Sequence, residues 1–194
     1  MRAVPKSVFF FAKILIYPIL RLFFNSTYLT GRHFDASLAG YVWCIRAVWT
    51  RNILRLDRTY PFPVALGSRI SNPRKISFHP DNLDNFQSPG IYLQNFSGHI
   101  TLGHGCYLAP NVGIITANHD PRNPDVHLEA EDVVIGERCW IGMNSVILPG
   151  VILGPGTVVG SGSVVTRSFP EGDCIVAGAP ARLIRKFEST IGLI

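Results

Sequence analysis

The sequence is short of acidic residues and has no closely spaced cysteine pair. None of its four cysteines belongs to a Cys-X-X-Cys pair, which favours buried reduced thiols and a cytosolic environment; they are Cys44, Cys106, Cys139 and Cys174. Acids are scarcest in residues 1–75, where Asp35 and Asp57 stand against 12 Lys and Arg, a net charge of +10. Residues 76–194 carry 11 acids and 6 bases, a net charge of −5. This asymmetry predicts that the N-terminal part faces an acidic partner.

The apolar stretch from Ser7 to Phe24 lacks the unbroken length of a membrane-spanning helix. Lys13 and Arg21 interrupt it, whereas a spanning helix needs about 20 apolar residues. Lys13 near mid-bilayer would cost about 2.5–3.5 kcal/mol. No small-X-small cleavage site follows, which disfavours a signal peptide. The cations share one helical arc, so we predict a helix lying on an anionic membrane surface. The alternatives are that the helix spans the membrane, or that it only covers the open end of the domain that follows.

A second N-terminal helix is predicted from Phe34 to Arg58, with Asp35 as its N-cap. Trp43 and Trp49 suit a membrane interface, and three cations are expected on one side: Arg51, Arg55 and Arg58. Residues 1–60 are therefore expected to form an apolar, basic helical segment that contacts the membrane through residues 1–58. Nucleic acid is a poor partner, because the basic residues are embedded in apolar runs rather than in a polar patch.

What the chain does have is a strict six-residue period in its C-terminal half. Aliphatic residues recur at one interval, namely at Ile135, Ile141, Ile147, Leu153, Val159 and Val165. Four positions after each of the first five stands a small residue: Cys139, Ser145, Val151, Thr157 and Ser163. Weaker runs with the same interval precede them, at Val64, Ile70 and Ile76 and at Phe96, Leu102, Leu108 and Ile114.

This period fits neither a helix nor an alternating strand. It predicts an all-β solenoid in which each hexad supplies a short strand and a turn, and three hexads close a triangular coil. No hexad buries its apolar residue alone, so the coils must stack to form a core. We expect this solenoid over residues 61–180, followed by a short C-terminal helix or tail over 181–194.

From Phe96 onward the period breaks once, between Ile114 and Ile135, which are 21 residues apart. An insertion at 116–132 is therefore predicted to leave the solenoid as a loop. Loops on rigid scaffolds often carry catalytic residues, and Asn118, His119 and Asp120 stand where this loop begins. His119 is the candidate general base, since histidine takes up a proton near neutral pH. His127, deeper in the loop, is expected to be structural.

Several segments resemble the hexapeptide-repeat acyltransferases, in particular the xenobiotic, galactoside and maltose acetyltransferase branch. The resemblance covers about Ile91 to Lys186 and rests on Leu108-Ala-Pro-Asn-Val112, Val134 to Gly142, Val146 to Val151, Val159 to Thr166 and Ala177-Gly-Ala-Pro-Ala-Arg182. It implies a left-handed parallel β-helix, a homotrimer with active sites between subunits, and acetyl-CoA as co-substrate. No metal is expected.

The resemblance also implies roles for individual residues. His119 matches the general base, and Asn95 a position that contacts the acceptor; Asp120, beside His119, is a further acceptor-binding candidate. Residues that match the coenzyme A groove are Trp140, Met143, Ser161 and Thr166, with Arg182 and Arg185 near the nucleotide phosphates.

The N-terminal segment departs from the soluble sugar acetyltransferases of this branch, which begin with a compact helical domain. We therefore expect an acetyl-CoA-dependent O-acetyltransferase, peripheral at the inner face of the cell membrane, that modifies a sugar hydroxyl of a lipid-linked surface polysaccharide or its precursor. The alternatives are an N-acetyltransferase for an amino-sugar nucleotide and a non-catalytic solenoid scaffold. A zinc enzyme of the γ-class carbonic anhydrase type is disfavoured, because His99 and His104 have the right spacing but the third histidine is missing.

Overall fold

Most strands are two or three residues long and fall in turn on three sheets, here called faces 1, 2 and 3. The computed structural model describes residues 11–187. Face 1 consists of β1 (Arg69–Ile70), β3 (Tyr92–Gln94), β6 (Gly113–Ile115), β11 (Val146–Ile147) and β14 (Val164–Val165). Face 2 consists of β2 (Ile76–Phe78), β4 (Ile100–Leu102), β9 (Val133–Ile135) and β12 (Ile152–Leu153). Face 3 consists of β5 (Tyr107–Leu108), β10 (Trp140–Ile141), β13 (Val158–Val159), β15 (Cys174–Gly178) and β16 (Ala181–Lys186).

Three consecutive strands close one coil, and each strand pairs with its equivalents in the coils above and below. The pairing is parallel throughout the three faces except between β15 and β16. The predicted parallel strands are thus confirmed. On face 1 the register pairs Leu93 with Ile114, Ile114 with Ile147 and Ile147 with Val165, and all four side chains are buried. The aliphatic period therefore forms continuous apolar columns, the main source of stability in such a stack.

The small-residue positions are buried beside these columns, and their polar groups are satisfied locally. Thr157 and Ser163 donate their hydroxyls to the carbonyls of Gly154 and Gly160 at 2.7 and 2.5 Å. All four cysteines are buried free thiols, and burial raises the pKa of Cys106 to about 12. The Cys106 thiol is therefore protonated and unreactive at neutral pH.

Two features of the first coils differ from the predicted period. Phe96 is 42% exposed, because the residue that pairs with Ile114 on face 1 is Leu93. In the first coil a 3₁₀ helix, Pro80–Gln87, replaces the strand of face 3. Its Asn85 side chain accepts from Leu108 N and donates to Cys106 O at 2.7 and 3.0 Å. The amide thus takes the place of strand backbone and satisfies the edge of β5.

The N-terminal part consists of short helical pieces. They are the π-helical turns Ala12–Ile16 and Val48–Ile53, the α-helices Tyr17–Leu20, Arg32–Asp35 and Ala39–Ala47, and a 3₁₀ turn, Ser26–Tyr28. The hydrogen-bond register changes just before Pro18, which has no N–H to donate. Within residues 11–187, no helix is both long and apolar enough to cross a membrane. Residues 7–10 of the predicted membrane helix lie outside the described range.

The prediction of one helix from Phe34 with Asp35 as N-cap is wrong. Asp35 ends its helix, and its carboxylate accepts from Gly31 N at 3.0 Å and from the Lys13 ammonium at 2.8 Å. The next helix begins at Ala39, whose N–H donates to Ser37 Oγ at 3.1 Å. Leu38 at the N-cap position supplies no side-chain hydrogen bond, so the bond to Ser37 satisfies the first N–H of the helix from outside it.

Arg51 does not belong to a membrane-facing cluster either. Its side chain is buried, lies 3.0 Å from the Asp57 carboxylate and donates to the carbonyls of Arg58, Val64 and Ala65 at 2.5, 3.0 and 2.7 Å. The guanidinium therefore fastens the helical segment to the first coil, a role that suits its fixed fork of donors.

The predicted C-terminal helix is wrong over Ala181–Lys186, which form strand β16. This strand folds back antiparallel onto β15, pairing Arg182 with Ala177 and Arg185 with Ile175. The backbone groups along the edge of β15 require partners, and the returning chain supplies them. Residues 188–194 lie outside the described range.

Candidate active site

The segment 116–132 leaves the stack at the corner between faces 1 and 2. Within it, β7 (His119–Asp120) and β8 (Asn123–His127) form an antiparallel hairpin in which His119 pairs with His127. Buried Gln94 fixes the start of this segment at the stack. Its amide oxygen accepts from Thr116 N and Ala117 N at 3.1 Å, and its amide nitrogen donates to Ala117 O at 3.0 Å. The N–H of Glu131 donates to Thr116 O at 2.8 Å and closes the segment. The hairpin is thus a projection with a rigid base.

His119 is exposed near the start of this hairpin, and its ring is oriented by two neighbours. Its Nδ1 lies 2.5 Å from the carbonyl oxygen of Pro124. Because a carbonyl only accepts, Nδ1 carries the hydrogen, and Nε2 of the neutral ring keeps a free lone pair. The ring of His127 lies 4.1 Å away between centroids. The arrangement therefore presents one basic nitrogen in a defined tautomer and orientation.

His127 supports His119 directly, a contact that its sequence position among acids did not show. Its ring is also edge-on to exposed Phe96, 5.7 Å between centroids. Three rings from two coils thus form one surface around the candidate base. A regular hairpin with Asp120 opposite Asn123 would place residue 124 opposite His119, and it is the register shift between His119 and Asp120 that brings His127 there. The sequence therefore carries no clear signal for this contact.

Asn95, predicted to bind the acceptor, is not available to a ligand. It is fully buried, its amide nitrogen donates to Asn72 O and Lys75 O at 2.8 and 2.9 Å, and its oxygen accepts from Asn72 N at 3.0 Å. The amide is thus saturated by the previous coil, and the prediction is wrong. Asp120 stays half-exposed beside His119, where it accepts from Arg122 N at 2.8 Å and tightens the hairpin turn.

The residues predicted for coenzyme A are exposed on another part of the prism. Trp140 points outward from face 3, between Tyr107 of β5 and Val158 of β13, and is 56% exposed. Met143 and Ser161 occupy the corner between faces 3 and 1 in adjacent coils, where Gly162 N donates to Met143 O at 2.8 Å. The arginines at 182 and 185 extend face 3 on β16, and Thr166 follows β14 on face 1.

A single chain does not bring these two sets together. In a three-faced prism each corner lies opposite one face, and the corner that carries the His119 hairpin lies opposite face 3. His119 and Trp140 are therefore on opposite sides of their own coil. Together these features describe a stack of parallel-stranded coils with a histidine-bearing loop.

Comparison with known proteins agrees with this class. Residues 132–167 match the family described as bacterial transferase hexapeptide (six repeats), which confirms the resemblance inferred from the sequence. A putative lipopolysaccharide biosynthesis O-acetyl transferase of Escherichia coli K12 is 42% identical over 100 residues, covering 45% of this chain and 50% of the relative. A putative acetyltransferase of Dictyostelium discoideum is 49% identical over 90 residues, covering 45% and 47%.

Among solved structures, a hexapeptide-repeat acetyltransferase of Vibrio cholerae in complex with acetyl coenzyme A is similar, with 34% identity, a TM-score of 0.44 and coverage of 47% of this chain and 51% of that one. The chain spans about half the length of the curated relatives it matches.

Proposed function

We propose that the protein is an acetyl-CoA-dependent O-acetyltransferase whose acceptor is a sugar hydroxyl of a lipid-linked surface polysaccharide or its precursor. The observation that carries the proposal is His119, an exposed histidine whose Nδ1 is bonded to a carbonyl and whose Nε2 has no hydrogen-bond partner among residues 11–187. The acetyltransferase names of the relatives support the reaction, and the lipopolysaccharide relative supports the acceptor class.

In this mechanism Nε2 of His119 takes the proton from the acceptor hydroxyl, and the oxygen attacks the thioester carbonyl of acetyl-CoA. The tetrahedral intermediate collapses with cleavage of the carbon–sulfur bond, and the proton on Nε2 passes to the leaving thiolate. The ester and free coenzyme A are the products. Pro124 O would stabilise the imidazolium by its hydrogen bond to Nδ1, and general-base help of this kind contributes on the order of 10²–10⁴-fold.

The site would lie between subunits of a homotrimer of left-handed coils. Since His119 lies opposite face 3 of its own chain, a second copy would have to supply Trp140 and its neighbours. The hairpin also favours a partner: β8 is exposed along its whole length, including Val126, and an isolated two-stranded hairpin is only marginally stable in water.

Face 3 and its corner would hold coenzyme A. Trp140 offers an exposed indole face, while Met143, Ser161 and Thr166 would border the pantetheine arm. The guanidinium groups of Arg182 and Arg185 suit phosphate recognition. Neither arginine is in an ion pair with a carboxylate of residues 11–187.

The helical segment would rest on the membrane through an apolar patch formed by Ile14, Leu15, Ile19, Leu22, Val42, Ile45, Trp49 and Ile53. All eight side chains are more than half exposed, and Leu22 reaches 81%. The patch is continuous, because residues from two separate parts of the helical segment line one apolar groove. Ile19 and Phe23 line it from one side, and Ile45 and Trp49 line it from the other. Apolar surface of this extent on one side is typical of membrane or protein contact.

Charge would contribute less to this contact than the net +10 of residues 1–75 predicts. Lys13 pairs with Asp35, and Arg51 is buried with Asp57. Arg46 donates to the Gln87 amide at 3.0 Å. Arg21 and Arg55 form no ion pair with residues 11–187. Apolar insertion is therefore the larger part of the proposed affinity.

The double variant Leu22→Glu, Trp49→Glu should lower binding to anionic vesicles about 100-fold, since burial of each side chain is worth about 1.5–3 kcal/mol. Vesicle sedimentation measures this. Leu66→Glu, an exposed leucine outside the patch, is the matched control and should bind like the parent. Point variants are preferable to deleting residues 1–24, which would remove buried Leu20 and Phe24. Equal binding of the double variant and the parent contradicts membrane contact through the patch.

Two measurements test the reaction and the acceptor separately. Acetyl-CoA at 100 times its Kd should stabilise the protein by about 2.7 kcal/mol and raise its Tm; no shift at millimolar ligand would favour a scaffold. Mass spectrometry of surface glycans from cells with and without His119 should show loss of one acetyl group per repeat. An acetyl group lost from an amine instead of a hydroxyl would favour the N-acetyltransferase alternative.

A further inference from the structure

A group of metal-binding side chains lies at the corner between faces 2 and 3, away from the His119 hairpin. His79 follows β2, and His104 follows β4 in the next coil, so the stacking of coils brings them together although they are far apart in sequence. Their rings are 4.4 Å apart between centroids. Asp81, in the first turn of the 3₁₀ helix, completes a group whose ligand atoms all lie within 4.8 Å of one another.

We propose that His79, Asp81 and His104 form a binding site for a divalent transition-metal ion, Zn²⁺ being the best fit. A tetrahedral zinc ion with bonds of about 2.0–2.2 Å to nitrogen and oxygen sets its ligand atoms about 3.3–3.5 Å apart. Asp81 Oδ2 lies 3.5 Å from His104 Nε2 and 3.7 Å from His79 Nδ1. These separations exceed a good hydrogen bond and match two edges of a coordination tetrahedron.

The carboxylate is held so that one oxygen remains directed at the histidines. Asp81 Oδ1 accepts the N–H of Arg32 at 2.7 Å, and this bond is the main cause of the lowered pKa of Asp81. The Arg32 guanidinium does not compete for Oδ2, because it pairs with Asp84 at 2.8 Å. A second hydrogen bond that orients a ligating carboxylate is a regular feature of metal sites.

The donor set selects the class of ion. Two imidazoles and one carboxylate suit Zn²⁺, Co²⁺, Ni²⁺ or Cu²⁺, whereas Mg²⁺ and Ca²⁺ prefer oxygen alone. His79 and His104 are both about half exposed, so water would fill the fourth position. His79 Nδ1 also accepts the N–H of Asp81 at 3.1 Å, a single neutral hydrogen bond that coordination would replace.

The location indicates what such an ion would do. Arg32 belongs to the helical segment, and Asp81 to the first coil, so the Arg32–Asp81 bond joins the two parts. A metal on Asp81 would hold the first and second coils together at the point where the helical segment attaches. The site would therefore stabilise the junction and take no part in acetyl transfer.

The test uses the full chain, stripped with a chelator and titrated with Zn²⁺. We expect one equivalent per chain, a rise in Tm, and a tetrahedral Co²⁺ absorption spectrum on substitution with cobalt. His104→Asn should weaken zinc binding at least about tenfold, the smallest effect usual even for residues that only orient a ligand. Asp81→Asn, which keeps an acceptor for Arg32, should do the same.

The control is His99→Asn, because His99 is bonded to Ser77 at 2.9 Å and lies outside the group. It should bind zinc like the parent. Absence of stoichiometric zinc binding by the parent overturns the proposal, and so does unchanged affinity in His104→Asn, which would place the ion elsewhere. Because the readout is metal binding and not catalysis, the result is independent of whether the protein transfers acetyl groups.

Discussion

Replacing His119 by alanine should reduce acetyl transfer at least about 100-fold, because the free Nε2 is the proposed general base and such catalysis contributes on the order of 10²–10⁴-fold. The loss should appear in kcat, while the affinity for coenzyme A changes little, since the residues proposed to hold coenzyme A lie on face 3 and its corner. Steady-state kinetics with acetyl-CoA and a saccharide acceptor, together with calorimetric titration of coenzyme A, separate the two effects.

His99→Gln is the matched control, since it alters a half-buried histidine outside the hairpin. It should retain the parent kcat. Activity of His119→Ala within a factor of a few of the parent would refute the general-base role. Loss of coenzyme A binding in the same variant would instead indicate that the hairpin shapes the co-substrate groove.

Among single substitutions of glycine by alanine in the stacked coils, Gly172→Ala should be the most destabilising. Gly172 has φ of +72°, and a Cβ there would lie 2.1 Å from the carbonyl oxygen of Pro155 in the coil below. The left-handed backbone costs about 1–2 kcal/mol for alanine, and forcing the coils apart adds about 1–3 kcal/mol. The expected fall in Tm is roughly 10 °C, on the scale of about 2–4 °C per kcal/mol for chains of this size.

Gly67→Ala provides the comparison that isolates the clash. Gly67 has φ of +82°, but nothing lies within 4 Å of its added Cβ, so only the backbone cost of about 1–2 kcal/mol remains. Thermal unfolding of both variants, followed by circular dichroism at one protein concentration, gives the difference. Equal Tm values would show that the coils separate easily at this corner.

The repeating part of the fold could be predicted because its determinants are local. Each inward aliphatic residue is specified by its own hexad and meets the same environment in every coil, so Ile135 to Val165 and their pairing follow from spacing alone. The first coils are different. The 3₁₀ helix at Pro80–Gln87 depends on Asn82 and Asn85 finding partners in the next coil, and no periodicity shows this.

The errors have physical causes of the same kind. The helix expected after 181 is a strand because the edge of β15 needs partners, and Asn95 is buried because the previous coil uses its amide. In both cases tertiary hydrogen bonds override a local pattern. The His79–Asp81–His104 group was also beyond prediction, since the long first coil sets which histidines become neighbours.

The constant spacing of strands on face 3 gives the protein a fixed unit of length. Neighbouring strands lie about 4.7–4.9 Å apart, so β10 and β16, separated by three such steps through β13 and β15, are about 14 Å apart. Adding or removing one coil would move Arg182 relative to Trp140 by a whole step and never by a fraction. The distance available to a ligand bound along this face can therefore change only in whole strand spacings. We expect evolutionary changes in chain length to accumulate in the hairpin segment and at the ends of the stack, while the number of coils between β10 and β15 stays constant.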